Sequence, residues 1–169
     1  MALIGQDSFK DTNNTTLQYH VPELGDVWIV PTGIATGNNV VIHSRSVAYD
    51  SSGTGSDNMW LLGGDLIDDG YVQASLFSFV PPIGALICRV NPTFDSYILF
   101  GQCSETEFIL AGDDTEIITP TMHFGMVARI EFVKSDVNAY LDGVLVASVK
   151  SSLVTGYYGF MLRVSAWGV

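Results

Sequence analysis

Acidic side chains are the residues of this chain with the clearest chemical potential. Glu105-Thr-Glu107 has the spacing that would place two carboxylates on one face of a strand. Glycoside hydrolysis needs two carboxylates across a cleft, and β-sandwich hydrolases supply them from one strand as E-x-D-x-E. The sequence lacks that pattern. We therefore expect Glu105 and Glu107 to form a solvated rim and the protein not to be an enzyme, with no catalytic residues.

Three groups of loop acids could offer oxygen ligands to Ca²⁺: Asp68-Asp69-Gly70, Asp113-Asp114 and Asp11. None matches the D-x-[DN]-x-[DN]-G loop. Asp also favours turns because its side chain bonds the nearby backbone. We expect no metal and no cofactor, with calcium at these loops as the alternative.

His20, His43 and His123 are scattered singly, which argues against a zinc site or a catalytic triad. Cys88 and Cys103 lie in apolar, strand-like surroundings without a C-x-x-C pair. Buried free thiols are expected, and a disulfide is the alternative.

Other chemical motifs are absent. The 17 glycines form no G-x-S-x-G elbow, P-loop or Rossmann pattern. Trp28, Trp60, Trp167 and the seven tyrosines could stack on sugar rings, although aromatic residues of a sandwich more often belong to its core.

Composition limits the partners. Seven basic against 18 acidic residues give a net charge of −11, which opposes binding to nucleic acid or anionic lipid. The chain is 47% hydrophobic and 15% charged, with a mean hydropathy of +0.30. This favours a homo-oligomer, for which we expect a trimer, because apolar surface should be buried against other chains. No signal peptide or membrane span is predicted, and residues 1–169 are expected to form one domain.

No window carries the apolar spacing of an amphipathic helix, and short strand-like segments alternate with turn-rich ones. The pattern predicts an all-β, antiparallel sandwich. The predicted strands are Val27–Val30, Asn39–His43, Met59–Leu62, Tyr71–Val80, Ala85–Val90, Tyr97–Cys103, Glu107–Leu110, Glu116–Ile118, Gly125–Lys134, Val137–Leu141, Val144–Val149 and Tyr158–Trp167.

Two tight turns join three consecutive predicted strands, Gly125–Lys134, Val137–Leu141 and Val144–Val149, into a meander. Asp142-Gly143 predicts a two-residue type I′ hairpin, and Lys134-Ser-Asp136 predicts the other turn. Alternation places Ala128, Ile130 and Phe132 on one face, so this strand should be half buried. Tyr71–Val80 instead has large apolar groups on both sides, which indicates a covered strand or a subunit interface.

Several segments together resemble the laminin-G-like, concanavalin A-like lectin/glucanase superfamily. They are Ala128-Arg-Ile-Glu-Phe, Val137-Asn-Ala-Tyr-Leu-Asp-Gly-Val-Leu-Val146, Thr155-Gly-Tyr-Tyr-Gly-Phe160, the hairpin Ile87-Cys-Arg-Val90 to Tyr97-Ile-Leu99, and the opening from Asp7 to Trp28. The resemblance implies a jelly-roll sandwich of two curved antiparallel sheets, used for sugar binding, protein binding or, less often, hydrolysis.

The chain departs from the family's enzymes by lacking their carboxylate motif, and no loop carries the calcium and sugar ligands of plant-type lectins. It is similar to small virion proteins of tailed bacteriophages. We therefore expect a non-enzymatic virion protein, a capsid decoration or a head or tail fibre component assembled in the host cytoplasm, acting through contacts with a capsid or tail protein. The alternative is a lectin-like module that binds a host surface glycan.

Overall fold

The computed structural model describes residues 8–10, 17–24, 28–29, 40–43, 46–49, 58–76 and 83–163. Within them, regular structure consists of strands and one 3₁₀ turn at Leu17–Tyr19, and no helix has the length and apolarity to cross a membrane. The strands are β1 (Trp28–Ile29), β2 (Val40–His43), β3 (Ser46–Tyr49), β4 (Asn58–Ile67), β5 (Gly70–Leu76), β6 (Ile83–Val90), β7 (Ile98–Gln102), β8 (Phe108–Ala111), β9 (Thr115–Ile118), β10 (Met126–Val133), β11 (Asp136–Leu141), β12 (Val144–Lys150) and β13 (Gly156–Arg163).

The strands form two main antiparallel sheets. The seven-stranded sheet has the order β1-β4-β13-β6-β7-β8-β9, and the four-stranded sheet has the order β12-β11-β10-β5. β2 and β3 pair separately as a hairpin. The predicted antiparallel, two-sheet sandwich is therefore confirmed, including the β10-β11-β12 meander.

The main core lies between the two sheets. On β10 the buried residues alternate with Arg129 and Glu131, as the sequence pattern predicts. Large side chains of both sheets meet in this layer, namely Leu86, Ile98, Phe100, Phe108 and Leu110 against Met126, Ile130, Phe132, Val137 and Leu141.

The seven-stranded sheet is apolar on its second face as well. A second buried cluster there contains Met59, Leu61, Ala85, Ile87, Val90, Leu99 and Met161. Of the two alternatives for Tyr71–Val80, a strand covered on both faces does not hold for the described part, because β5 exposes Tyr71, Gln73 and Ser75. A subunit interface on this strand stays a prediction. Residues 77–80 lie outside the described ranges. Two-sided burial belongs to β6 and β7, which are interior strands of the larger sheet.

Most strand ends differ from the predictions by one or two residues, and two differences are larger. The strand β3, Ser46–Tyr49, is not predicted, because four residues starting with Ser carry little pattern. The strand β4 runs through Gly63-Gly64-Asp65, which reads as a turn in the sequence. Predicted residues 27, 30 and 164–167 lie outside the described part of the chain.

The Asp142-Gly143 hairpin is confirmed. Leu141 pairs with Val144 across the two-residue loop. Asp142 has φ of +49° and Gly143 has φ of +80°, as a type I′ turn requires. This turn fixes which side chains of β11 and β12 face the core, since a register slip by one residue would reverse them.

Replacing Gly143 with Val should lower the free energy of unfolding by about 1–3 kcal/mol, because a β-branched residue is strained at positive φ. A Cβ at this position would meet no atom within 4 Å, so the loss reflects the backbone alone. Thermal unfolding measures it, at about 2–4 °C per kcal/mol for a chain of this size. Gly143→Asn is the control, since Asn tolerates this conformation. Equal melting temperatures for Gly143→Val and the parent would contradict the assignment.

Candidate functional site: a cleft at the loop rim

Three connecting segments meet at one end of the sandwich and enclose a cleft of about 400 Å³. They are the β6–β7 loop, the β8–β9 turn and the β12–β13 loop. The lining residues are Asp95, Ser96, Tyr97, Gly112, Asp113, Ser152 and Leu153. We call this the rim cleft. Its volume falls in the range of small-molecule sites.

Asn91 organises the first wall. Its Oδ1 accepts hydrogen bonds from the backbone N–H groups of Asp95 and Ser96 at 3.1 and 3.2 Å. Its Nδ2 donates to Asp95 Oδ1 at 2.7 Å, and the Ser96 hydroxyl donates to the same oxygen at 3.1 Å. These hydrogen bonds lower the pKa of Asp95, and the bond from Asn91 has the largest effect. Asp95 is therefore a fixed, ionised acceptor.

Asp113 joins the other two walls. Its Oδ2 accepts from the backbone N–H of Ser152 at 2.6 Å, and its Oδ1 accepts from the Ser152 hydroxyl at 3.1 Å. Ser152 is exposed. The contact fixes the β12–β13 loop beside the β8–β9 turn. Because a carboxylate can accept about four hydrogen bonds, Asp113 can accept further ones.

A buried arginine anchors the β12–β13 loop from below. Arg89 is fully buried, and its Nη1 donates to the carbonyl of Leu153 at 2.8 Å. Its Nη2 donates to the carbonyl of Asp68 at 3.1 Å. The guanidinium lies 5.3 Å from the ring centroid of Phe132, and burial lowers the pKa of Arg89.

The predicted acidic residues have varied roles. Glu105 and Glu107 lie in the turn between β7 and β8 and not on a strand face, and Glu107 accepts a hydrogen bond from the Ser104 hydroxyl. Asp69 accepts from the backbone N–H of Lys134 at 2.7 Å. Of the predicted acids that the structure describes, only Asp113 lines the rim cleft.

Asp11 lies outside the described residues. Asp114 is exposed, and its carbonyl accepts from the N–H of Gly112. In the described part of the chain, no three His, Cys, Asp or Glu side chains are grouped so that they could hold a metal.

The three histidines do not come together. His20 is buried beside Phe9, with ring centroids 5.9 Å apart. His43 lies in β2. His123 Nε2 lies 2.6 Å from Asp142 Oδ2, and the other oxygen of Asp142 accepts from the N–H of Val127 at 2.9 Å. This exposed pair holds the β9–β10 loop against the Asp142-Gly143 turn.

The predicted cysteines and tryptophans are structural where they are described. Cys88 and Cys103 are buried free thiols, as predicted. Burial raises the pKa of both thiols. Trp28 is buried, with its ring centroid 5.1 Å from that of Phe160. Trp60 lies in β4, and Trp167 lies outside the described residues.

Most residues of the rim cleft could not be identified from the sequence. Asp95 and Ser96 carry only a turn signal, in which Asn91-Pro92 precedes Asp-Ser, of the kind that marks side-chain-capped turns. In the sequence, Tyr97 is only one of seven tyrosines that could stack on a sugar ring. Ser152 and Leu153 carry no signal, since their part in the cleft depends on contacts with residues distant in the chain.

Solved structures of other proteins share the arrangement of these sheets. A β-1,3-1,4-glucanase (lichenase) from a mouse hindgut metagenome superposes with a TM-score of 0.63 and 12% identity, covering 92% of this chain and 86% of that one. Carbohydrate-binding module CBM66 from Bacillus subtilis gives a TM-score of 0.58 and 14% identity, covering 81% and 88%. This chain has the concanavalin A-like jelly-roll fold.

Bacillus licheniformis β-glucanase shares the jelly roll with a TM-score of 0.57 and 11% identity, over 95% of this chain and 88% of that one. At the sequence level the chain matches no protein-family model and no curated protein. The superpositions confirm the expected fold. The expected relation to phage proteins stays a prediction.

Replacing Arg89 with Lys should destabilise this jelly roll by about 1–3 kcal/mol, the cost of leaving a buried carbonyl unsatisfied. A single ammonium cannot reproduce the fork that reaches both Leu153 and Asp68. Denaturant unfolding measures the change. Lys134→Arg is the control, because it exchanges the same two residue types at an exposed turn position, and we expect it to change stability by less than about 0.5 kcal/mol. Equal effects at the two sites would contradict the anchoring role.

The His123–Asp142 pair should give a pH-dependent contribution to stability. The hydrogen bond to Asp142 raises the pKa of His123 above its ordinary value of 6.5, so this stabilisation is complete below that value and is lost as pH rises through the folded-state pKa. The pKa of Asp142 is lowered, chiefly by the N–H of Val127, so its stabilisation is lost only as pH falls through that lower pKa.

NMR titration of the His123 ring tests the pair directly. Asp142→Asn keeps a residue that tolerates positive φ and should return the pKa of His123 towards 6.5. Asp114→Asn should leave that pKa unchanged. If the pKa of His123 is the same in Asp142→Asn and in the parent, the pair does not form in solution.

Proposed function

We propose that this jelly-roll protein is a non-catalytic carbohydrate-binding module that holds a neutral sugar in the rim cleft. The observation that carries the proposal is the pair of fixed carboxylate acceptors, Asp95 and Asp113, beside Tyr97 in a concave site. The carbohydrate-active proteins that share the fold support this class of ligand.

The chemistry of the cleft matches sugar hydroxyls. An ionised carboxylate accepts about four hydrogen bonds, and Asn91, Ser96 and Thr93 account for three of those of Asp95. Hydroxyls of a sugar can donate to the remaining sites. Tyr97 and Leu153 supply the apolar part of the lining, against which the C–H face of a sugar ring packs.

The charge of the protein favours a neutral ligand. A net charge of −11 repels anionic glycans, and both acidic residues of the cleft add to that repulsion. Uronic acids and sulfated sugars should therefore bind more weakly than neutral sugars.

Two features support binding without catalysis. A glycosidase needs a general acid with a raised pKa, whereas the pKa of Asp95 is lowered. The second face of the seven-stranded sheet, where a substrate groove would need carboxylates, carries the apolar cluster around Ile87 and Leu99 among the described side chains.

A titration with neutral disaccharides tests this function. Each charge-assisted hydrogen bond contributes about 1.5–3 kcal/mol, and association costs offset much of the sum, so we expect a Kd near about 1 mM. Chemical shifts of Ser96, Tyr97 and Ser152 should respond to cellobiose, maltose or lactose. Galacturonic acid should bind more weakly.

Asp95→Asn keeps the shape of the cleft and should weaken binding about tenfold, which corresponds to about 1.4 kcal/mol. Asp114→Asn is the matched control, because Asp114 is adjacent in sequence to Asp113 and does not line the cleft. Shifts confined to other surfaces, or equal affinities for the two variants, would refute the rim cleft as the site.

The virion role is the second candidate, supported by exposed apolar side chains. Tyr19, Val21, Phe124 and Val144 are 74, 72, 72 and 65% exposed, which favours contact with another chain. Sedimentation of the purified protein measures whether it self-associates. An oligomer, for which we expect a trimer, supports assembly into a larger structure. A monomer at high concentration counts against it. That the protein is part of a virion stays a prediction from the family resemblance.

A further inference from the structure

The outer face of the four-stranded sheet carries planar polar side chains that are exposed or partly exposed. On β5, β10 and β11 the residues between the core positions point away from the inter-sheet core. We call this surface the Arg129 face, and its residues are Tyr71, Gln73, Arg129, Glu131, Asn138 and Tyr140. It does not include any residue that lines the rim cleft.

Arg129 lies at the centre of this face between two tyrosines. Its guanidinium carbon is 4.2 Å from the ring centroid of Tyr140 and 5.8 Å from that of Tyr71. Tyr140 is directly opposite Arg129 on β11, and Gln73 is opposite it on β5. Tyr71 is 47% exposed, so an aromatic surface is available to a ligand.

The guanidinium has unused donors. Its Nη2 is 3.5 Å from Glu131 Oε2, which is longer than a good hydrogen bond. Its Nε has no acceptor within the described part of the chain but is shielded from solvent, so the donors that a ligand could reach are those of the terminal nitrogens. Arg129 and Glu131 therefore present donors and acceptors side by side with no net charge.

Hydroxyl groups match this arrangement, since each both donates and accepts. Neighbouring hydroxyls of a sugar can accept from Arg129 and donate to Glu131, while Tyr71 and Tyr140 stack on the sugar rings. The three strands of this face, spaced by about 4.8 Å, make it about 10 Å wide, which is wider than one sugar ring.

We propose that the Arg129 face is a second glycan-binding surface, which takes an extended neutral polysaccharide lying across the strands. The proposal extends the proposed function from a short sugar in the cleft to a chain on the sheet. It does not require the rim cleft to bind, so the two surfaces can be tested separately.

Affinity electrophoresis of the full chain through gels that contain soluble β-1,3-1,4-glucan tests the surface. Arg129→Gln should reduce retardation about tenfold, and Tyr71→Ala should reduce it as well. Lys134→Gln is the control, since it removes the same charge in an exposed turn outside the face. Melting temperatures verify that each variant is folded.

Three results would overturn the proposal. The first is no retardation of the parent, or equal effects of Arg129→Gln and Lys134→Gln. The second is stronger retardation by polygalacturonate than by the neutral glucan, which would assign an acidic ligand. The third is a dimer of the parent that Tyr71→Ala dissociates, which would assign the face to a second copy.

The disaccharide titration of Asp95→Asn separates this proposal from the proposed function. Disaccharide binding that depends on Asp95, with no dependence of glucan retardation on Arg129, overturns the second surface and leaves the cleft in place. Glucan retardation that depends on Arg129, together with disaccharide binding that does not depend on Asp95, supports the second surface and removes the cleft.

Discussion

The enclosed guanidinium of Arg89 is the constraint around which the loops of this sandwich are arranged. A charged group without solvent contact is costly unless it is hydrogen-bonded. Two backbone carbonyls accept from Nη1 and Nη2 of Arg89, whereas its Nε has no partner within the described residues. One carbonyl belongs to the β4–β5 turn and the other to the β12–β13 loop. Both segments are therefore held at defined positions relative to β6.

The backbone around Arg89 adds a second constraint. Arg89 has φ of +51°, and the pairing of β13 with β6 shifts register beside it, which is the behaviour of a β-bulge. A Cβ at Gly156 would lie 2.4 Å from the carbonyl carbon of Arg89, so only glycine permits this approach. The bulge turns Arg89 towards Phe132 in the inter-sheet core, and the start of β13 closes over it.

Local patterns predicted the parts of the fold that local forces determine. Alternation along β10 and the Asp142-Gly143 turn each depend on a few consecutive residues, and both are confirmed. The rim cleft could not be predicted in this way. The contact of Asp113 with Ser152 spans 39 residues, and that of Arg89 with Leu153 spans 64. Turn acids look alike in a sequence, whether they cap a backbone group like Asp69 or line a cleft like Asp113.

The enclosure of Cys88 in the core has a consequence for the chemistry of the protein. Its side chain is inaccessible, and desolvation disfavours the thiolate, which is the reactive form towards disulfides, oxidants and alkylating reagents. Modification of Cys88 therefore requires β6 to separate from its neighbouring strands. The rate at which a maleimide labels this thiol therefore reports how often the centre of the sandwich opens, so the chain carries its own probe of core dynamics.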